Sequence, residues 1–255
     1  MLFTIADSVR SRLTAKHRSK WEREIETRLE QREKSVSFKD AVGGGDRFIF
    51  EIKRTSPGNR GTVVLLDPAA TARLYQDFGA AAVSILTEPD FFGGSLADLA
   101  AVRQTVTIPL LRKDFIVDRI QIAEAKAFGA DAVLLIAALL SDKQLSEFIT
   151  YASSLPIDAL VEVHSESELN RALSAGATII GVNNRNLQTM TIDLAEGARL
   201  LRLVPDSCLR VAESGLKTRA DILMMRESGA DAYLIGTALM HASDLTATIR
   251  ELTGS

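Results

Sequence analysis

One cysteine, Cys208, among 255 residues leaves no internal disulfide to form. A lone cysteine is usually a small core residue, so the expectation for Cys208 is packing in a reducing, cytoplasmic setting. Histidine is nearly as scarce. His17, His164 and His241 share no ligand spacing, and no metal site is expected of them. The longest apolar run, residues 132–140, is too short to cross a bilayer. The opening "MLFTIADSVRSRL" lacks the basic-then-apolar order of a signal peptide. Positive charge is not in excess either. A net charge of -3 and a pI near 5.7 argue against a general nucleic-acid binder.

What the chain does have is length, 46% apolar residues, and a repeat. The pair Gly-Ala recurs at Gly79, Gly129, Gly176 and Gly229, at intervals of 50, 47 and 53 residues, each time closing a helical stretch and opening an apolar strand. Four further strands fall between and before these, over 48–53, 109–114, 158–164 and 208–214. The intervening segments 69–78, 118–128, 142–153, 166–175 and 218–227 carry helical spacing, with N-terminal signals in "DPAATARLY" and "SDKQLSEFI". Eight apolar strands alternating with helices imply a parallel sheet covered by helices. A unit of about 25 residues, repeated eight times, fits a closed (β/α)8 TIM barrel better than an open doubly wound sheet. The expected division is an N-terminal helical extension, 1–46, packing on the barrel mouth, and a barrel domain, 47–255.

The strand "FIFEIK" poses a problem for this fold. Alternate strand side chains share a face, so Ile49, Glu51 and Lys53 point together, and two opposite charges would enter a core. Burying them costs several kcal/mol unless they are paired or meet a polar ligand. The same parity in the other odd strands gives Leu111-Lys113-Phe115, Leu160-Glu162-His164 and Leu209-Val211-Glu213. All four inward faces begin apolar, and all four carry charge further along. Lys53, Lys113, Glu51, Glu162 and Glu213 are therefore expected to meet at the carboxy-terminal end of the barrel, where barrel enzymes work, as general acids and bases. His164 is expected at the rim, hydrogen-bonded rather than a metal ligand. In "VAESGL" and "LIGTAL", Ser214-Gly215 and Gly236-Thr237 follow the last two strands, the usual phosphate seat of this fold.

With "EIKRTSPG", "ILTEPDFFGGS", "LLRKDFIVD", "VEVH", "GVNNRNL", "VAESGL" and "LIGTALM" in order, the chain resembles the indole-3-glycerol phosphate synthase family over nearly its whole length. That resemblance implies a carbon–carbon carboxy-lyase of tryptophan biosynthesis acting on a small phosphorylated substrate. The family reaction closes the indole ring of 1-(2-carboxyphenylamino)-1-deoxyribulose 5-phosphate with loss of carbon dioxide and water, without metal or organic cofactor. Carried over by motif, Lys113 is the proton donor at the ribulose carbonyl, and Glu162, Glu51 and Lys53 serve the dehydration. Asn183 and Glu213 orient the substrate hydroxyls and the charged network. Ser56, Pro57, Phe92, Phe115, Leu134 and Leu187 line the anthranilate side, with Arg185 helping the network or pairing at the surface. Ser214, Gly215, Gly236 and Thr237 hold the phosphate, within reach of Lys53. The sequence departs from the family at Gly58, often Ser, and at Thr237, commonly Ser or Glu. No nucleic-acid or membrane partner is implied. A monomer is expected, with association with other tryptophan-pathway enzymes left open.

Residues 10–34 hold nine Lys or Arg and five Asp or Glu. Such a segment reads first as a solvated helical face anchored by Trp21, and second as a basic lid that draws an anion to the mouth. Two rivals stand beside the family reading. A phosphoribosyl isomerase barrel manages with one acid and base pair and needs no second lysine. A barrel that only binds phosphosugars or a partner subunit would keep Gly215 and Gly236 without needing Lys113 and Glu162.

Overall fold

The Gly-Ala repeat marks the place where each helix is stopped and turned into the next strand. Gly79, Gly129, Gly176 and Gly229 all have φ between 79° and 110°, a region that glycine enters without penalty. The following alanine then bonds back five residues: Ala80 to Tyr75, Ala130 to Ala125, Ala177 to Ala172 and Ala230 to Met225, at 2.9–3.0 Å. This 6→1 bond is the Schellman motif, which satisfies a terminal helix carbonyl. The repeat is thus four copies of one helix-to-strand turn.

The computed structural model describes residues 1–32, 35–55, 67–186 and 189–254. Its strands are β1 (Arg47–Ile52), β2 (Ala82–Leu86), β3 (Leu110–Lys113), β4 (Ala132–Ile136), β5 (Asp158–Val163), β6 (Ile179–Asn183), β7 (Leu209–Glu213) and β8 (Ala232–Ile235). They pair in sequence order, all parallel, and β1 closes on β8 with Arg47 opposite Ala232. The fold is the expected (β/α)8 barrel. Among the described residues, three helices precede it: α1 (Leu2–Ala15), α2 (Arg18–Glu30) and α3 (Phe38–Val42). The rest follow between and after the strands: α4 (Pro68–Asp77), α5 (Pro89–Phe92), α6 (Leu96–Arg103), α7 (Ile120–Ala127), α8 (Asp142–Ser154), α9 (Glu166–Ser174), α10 (Leu194–Leu201), α11 (Arg219–Glu227), α12 (Thr237–Met240) and α13 (Leu245–Thr253). Both sequence-level start signals are used. Asp67 caps α4 with Pro68 in its first turn, and Ser141 with Gln144 forms a capping box on α8.

Two cores result. Outward strand residues such as Phe50, Val83, Leu135 and Tyr233 pack under the helices. Inward residues Ile49, Leu111, Leu160 and Val211, one from each odd strand and none exposed, form an apolar layer within the barrel. The extension runs along the whole barrel. Leu2, Ile5, Ala6 and Val9 of α1 join the interior cluster from the mouth, where Leu2 and Ile5 also line the cavity described below. The α2 helix lies along α7, with Trp21 and Ile25 against Ile120 and Ala123. At the opposite end Phe38 and Val42 of α3, both fully buried, plug the barrel floor, and Lys39 N–H bonds Asp158 at the start of β5 at 2.9 Å.

Candidate active site

Above the apolar layer of Ile49, Leu111, Leu160 and Val211, the next inward position of each odd strand is charged: Glu51, Lys113, Glu162 and Glu213. Strand parity alone brings these four together, because a (β/α)8 interior stacks in layers of four from alternate strands. Lys113 Nζ lies 3.0 Å from Glu162 Oε2 and 3.3 Å from Glu213 Oε2. Lys53, the residue immediately after β1, lies 2.9 Å from Glu51 Oε1 and donates to Thr237 Oγ1 at 3.0 Å. The puzzle of a strand carrying Glu and Lys inward is resolved by their pairing with each other, next to the ion pairs that Lys113 makes across the barrel.

The pairing sets the protonation states. Burial works against a charge on Lys113, but Glu162, Glu213 and Glu51 outweigh it and hold the ammonium well above the usual lysine range. Burial likewise opposes ionisation of Glu162, and Lys113 and His164 overcome it, so this carboxyl lies below its ordinary range. Glu213 moves the other way. Burial, reinforced by the Glu162 and Glu51 charges, pushes it up to about 7 despite Lys113. Two carboxylates that share one ammonium are thus pushed apart, and they titrate as a unit.

Glycine makes room for both flanking carboxylates. A Cβ on Gly181 of β6 would collide with Glu213 Oε1, and one on Gly236 with Glu51 Oε1. Gly181 was not among the residues picked out from the sequence; the inward parity of Ile179-Gly181-Asn183 was the available signal.

The cup opens into a cavity of about 340 Å³, lined by Glu51, Lys53, Lys113, Glu162, Asn183, Arg185, Ser214 and Thr237 on the polar side. Its apolar wall is Phe92, Phe115, Leu134 and Ile136, with the two phenyl rings 6.1 Å apart and tilted. Phe92 is presented by a locally determined turn. Glu88, fully buried, caps α5 by accepting the N–H groups of Asp90, Phe91 and Phe92, and Arg12 of α1 binds the same carboxylate at 3.0 Å. An adjoining recess is lined by Lys53, Arg185, Ser214, Gly215, Lys217, Gly236 and Thr237. Ser214 and Gly215 both have positive φ, 66° and 81°, so the chain after β7 turns sharply at this recess. Asn184 ties the loops together, its Nδ2 donating to Ser214 O at 2.8 Å. Arg185 donates to Met190 O at 3.2 Å. Every candidate within the described residues, Glu213 included, therefore lines the cavity or the recess that adjoins it. Ser56, Pro57, Leu187 and Gly58 lie outside the described residues.

Behind this face, on the outward side of β3, sits a second buried ionic group that the sequence reading did not anticipate. Arg112 bonds Asp114 at 2.9 Å, Glu124 of α7 at 3.0 Å and Thr87 at 3.1 Å. Glu124 in turn accepts from Trp21 Nε1 at 2.7 Å and from Lys16 at 2.8 Å. Trp21 is therefore more than a packing anchor: its N–H ties the extension to the strand that carries Lys113.

Fold and site together define a (β/α)8-barrel protein whose ionised lysine–glutamate cluster lies at the carboxy-terminal mouth, beside a glycine-bearing recess. Comparison with known proteins narrows this class. The family model described as indole-3-glycerol phosphate synthase matches residues 2–252. Proteins named indole-3-glycerol phosphate synthase from Parafrankia sp., Chlorobium chlorochromatii and Aquifex aeolicus are 52%, 46% and 42% identical. Their alignments cover 77%, 89% and 91% of this chain and 73%, 88% and 91% of theirs. Solved structures share the fold at 16% identity. A chain of the tryptophan synthase a2b2 complex from Pyrococcus furiosus has a TM-score of 0.63, covering 84% of this chain and 100% of that one. A 3-hexulose-6-phosphate synthase has a TM-score of 0.67, covering 82% and 98%. The chain belongs to the indole-3-glycerol phosphate synthase family, carbon–carbon carboxy-lyases of tryptophan biosynthesis.

Proposed function

We propose that the chain converts 1-(2-carboxyphenylamino)-1-deoxyribulose 5-phosphate to indole-3-glycerol phosphate, releasing carbon dioxide and water. The observation that carries this reading is Lys113, a largely buried ammonium held by Glu162 and Glu213 at the floor of a cavity that joins an aromatic wall to a glycine-bearing recess. The aromatic ring of the substrate lies against Phe92, Phe115 and Leu134. Its phosphate sits at Ser214, Gly215, Gly236 and Thr237, within reach of Lys53.

Ring closure begins when the ring carbon bearing the carboxylate attacks the ribulose carbonyl. The carbonyl oxygen becomes an alkoxide, and Lys113 gives it a proton. An alkoxide is a far stronger base than an amine, so it draws a proton even from an ammonium held by carboxylates. Loss of carbon dioxide then returns the electron pair to the ring. Dehydration needs an acid for the departing hydroxyl and a base for a proton on the neighbouring carbon. Glu162, Glu51 and Lys53 supply these as one coupled set, while Asn183 and Glu213 orient the hydroxyls and the charged network.

The test is incubation with the carboxyphenylamino substrate while indole fluorescence is followed. Fluorescent product, with release of one carbon dioxide per turnover, is expected. Tight binding without turnover would support a phosphosugar-binding barrel instead, and turnover confined to the phosphoribosyl precursor would support an isomerase.

A further inference from the structure

His164 follows β5 directly and stands two residues beyond Glu162, so strand alternation sends both side chains the same way. Its ring bridges two carboxylates. Nε2 lies 3.2 Å from Glu162 Oε1, and Nδ1 lies 3.2 Å from Glu168 Oε2 in the first turn of α9. Glu168 is fixed in turn, because the same oxygen accepts the backbone N–H of His164 at 2.8 Å. The other oxygen of Glu162 belongs to Lys113. Lys113, Glu162, His164 and Glu168 therefore form a row of alternating donor and carboxylate reaching from the cavity floor to a helix start. Among the described residues, Glu162 and Glu168 are the charged groups that act on the ring.

A neutral imidazole has one N–H and one lone pair, so in either tautomer one of the two carboxylates would face a lone pair. Only the imidazolium offers a proton to both. Nε2 stands at ion-pair distance from Glu162 Oε1 without a directed hydrogen bond to it, so the link on that side is the attraction between imidazolium and carboxylate.

We propose that His164, as an imidazolium clamped by Glu168, is a positioning residue that fixes the Glu162 carboxylate against Lys113. The inference rests on the acid–base reading of this site given above. Electrostatics agree with the geometry. Burial opposes the ring's charge, yet the bonds to Glu162 and Glu168 raise its pKa to about 10. His164 in turn helps Lys113 to keep Glu162 ionised.

Two variants and two readouts test this. In the parent protein, NMR of labelled histidine rings should show His164 doubly protonated beyond pH 8. Glu168→Gln keeps an acceptor at that position but removes the charge, and should lower the midpoint by one unit or more. In His164→Gln, kcat at neutral pH should fall roughly tenfold to a hundredfold, the usual scale for loss of an orienting partner, with little change in KM. The acidic limb of its pH profile should move to higher pH, because Glu162 has lost a cation. A ring titrating near pH 6.5 in the parent would overturn the proposal, as would a His164→Gln variant with an unmoved pH profile. If the parent fails to turn over the carboxyphenylamino substrate, the functional reading falls. The NMR arm still decides the bridge on its own, including where His164→Gln does not fold.

Discussion

A lysine set among three glutamates inside a barrel is chemically unlike a lysine on a surface, and much of the site's behaviour follows from that one difference. Each carboxylate is tolerated because the ammonium faces it, and the ammonium because the carboxylates surround it. Space is as tightly determined as charge. Gly181→Ala drives a methyl group into Glu213 Oε1. The expected outcome is a stability loss of about 1–3 kcal/mol in denaturant titration. A fall in kcat should accompany it, because Glu213 can no longer sit against Lys113. The residue scale is also where sequence was most and least informative. Parity alone brought Glu51, Lys113, Glu162 and Glu213 to one layer. The bridge from His164 to Glu168 was not legible, because it depends on how α9 begins and on a ring rotamer, neither of which the pattern "VEVHSESE" specifies.

Among elements, the alternation of strand and helix was readable because one turn chemistry, glycine at positive φ followed by a back-bonding alanine, is written four times. Strand ends were placed within one or two residues. The shorter helices that prepare the site were harder to see. The four-residue α5 exists because Glu88 caps it, and it turns Phe92 toward Phe115. The Arg112–Glu124–Trp21 connection was hidden for another reason: it joins residues 91 positions apart in sequence, from Trp21 to Arg112, whose only common point is a side chain on α7. Breaking it from the centre leaves Asp114 and Glu124 with less compensation in a buried place. Arg112→Met should therefore lose about 3–5 kcal/mol in a urea titration. Trp21→Phe, which removes one N–H donor while keeping an aromatic ring, should lose only about 1–3 kcal/mol.

At the scale of the whole molecule, the extension holds both ends of the barrel, with α1 over the mouth and α3 in the floor. Deleting residues 1–15 uncovers the apolar mouth while leaving Phe38 and Val42 in place. The barrel should stay folded by circular dichroism, while KM for the phosphorylated substrate should rise by about tenfold or more, as expected when a covering element that positions substrate is lost. Global stability should also carry the signature of the buried charges. The pKa of His164 is raised in the folded state to about 10, against an unfolded value near 6.5. Its contribution is complete below pH 6.5 and is lost as pH rises toward 10. Over that window stability should decline by up to about 1.4 kcal/mol per pH unit for this one proton, and Glu168→Gln should flatten the decline.

The central claim is that Lys113 acts on the substrate rather than merely balancing the charge of Glu162 and Glu213. Steady-state kcat of Lys113→Ala on the carboxyphenylamino substrate, measured on protein whose folding has been verified, tests this most directly. A loss of about two or more powers of ten is predicted for removal of the proton donor. Activity close to that of the parent chain would contradict it.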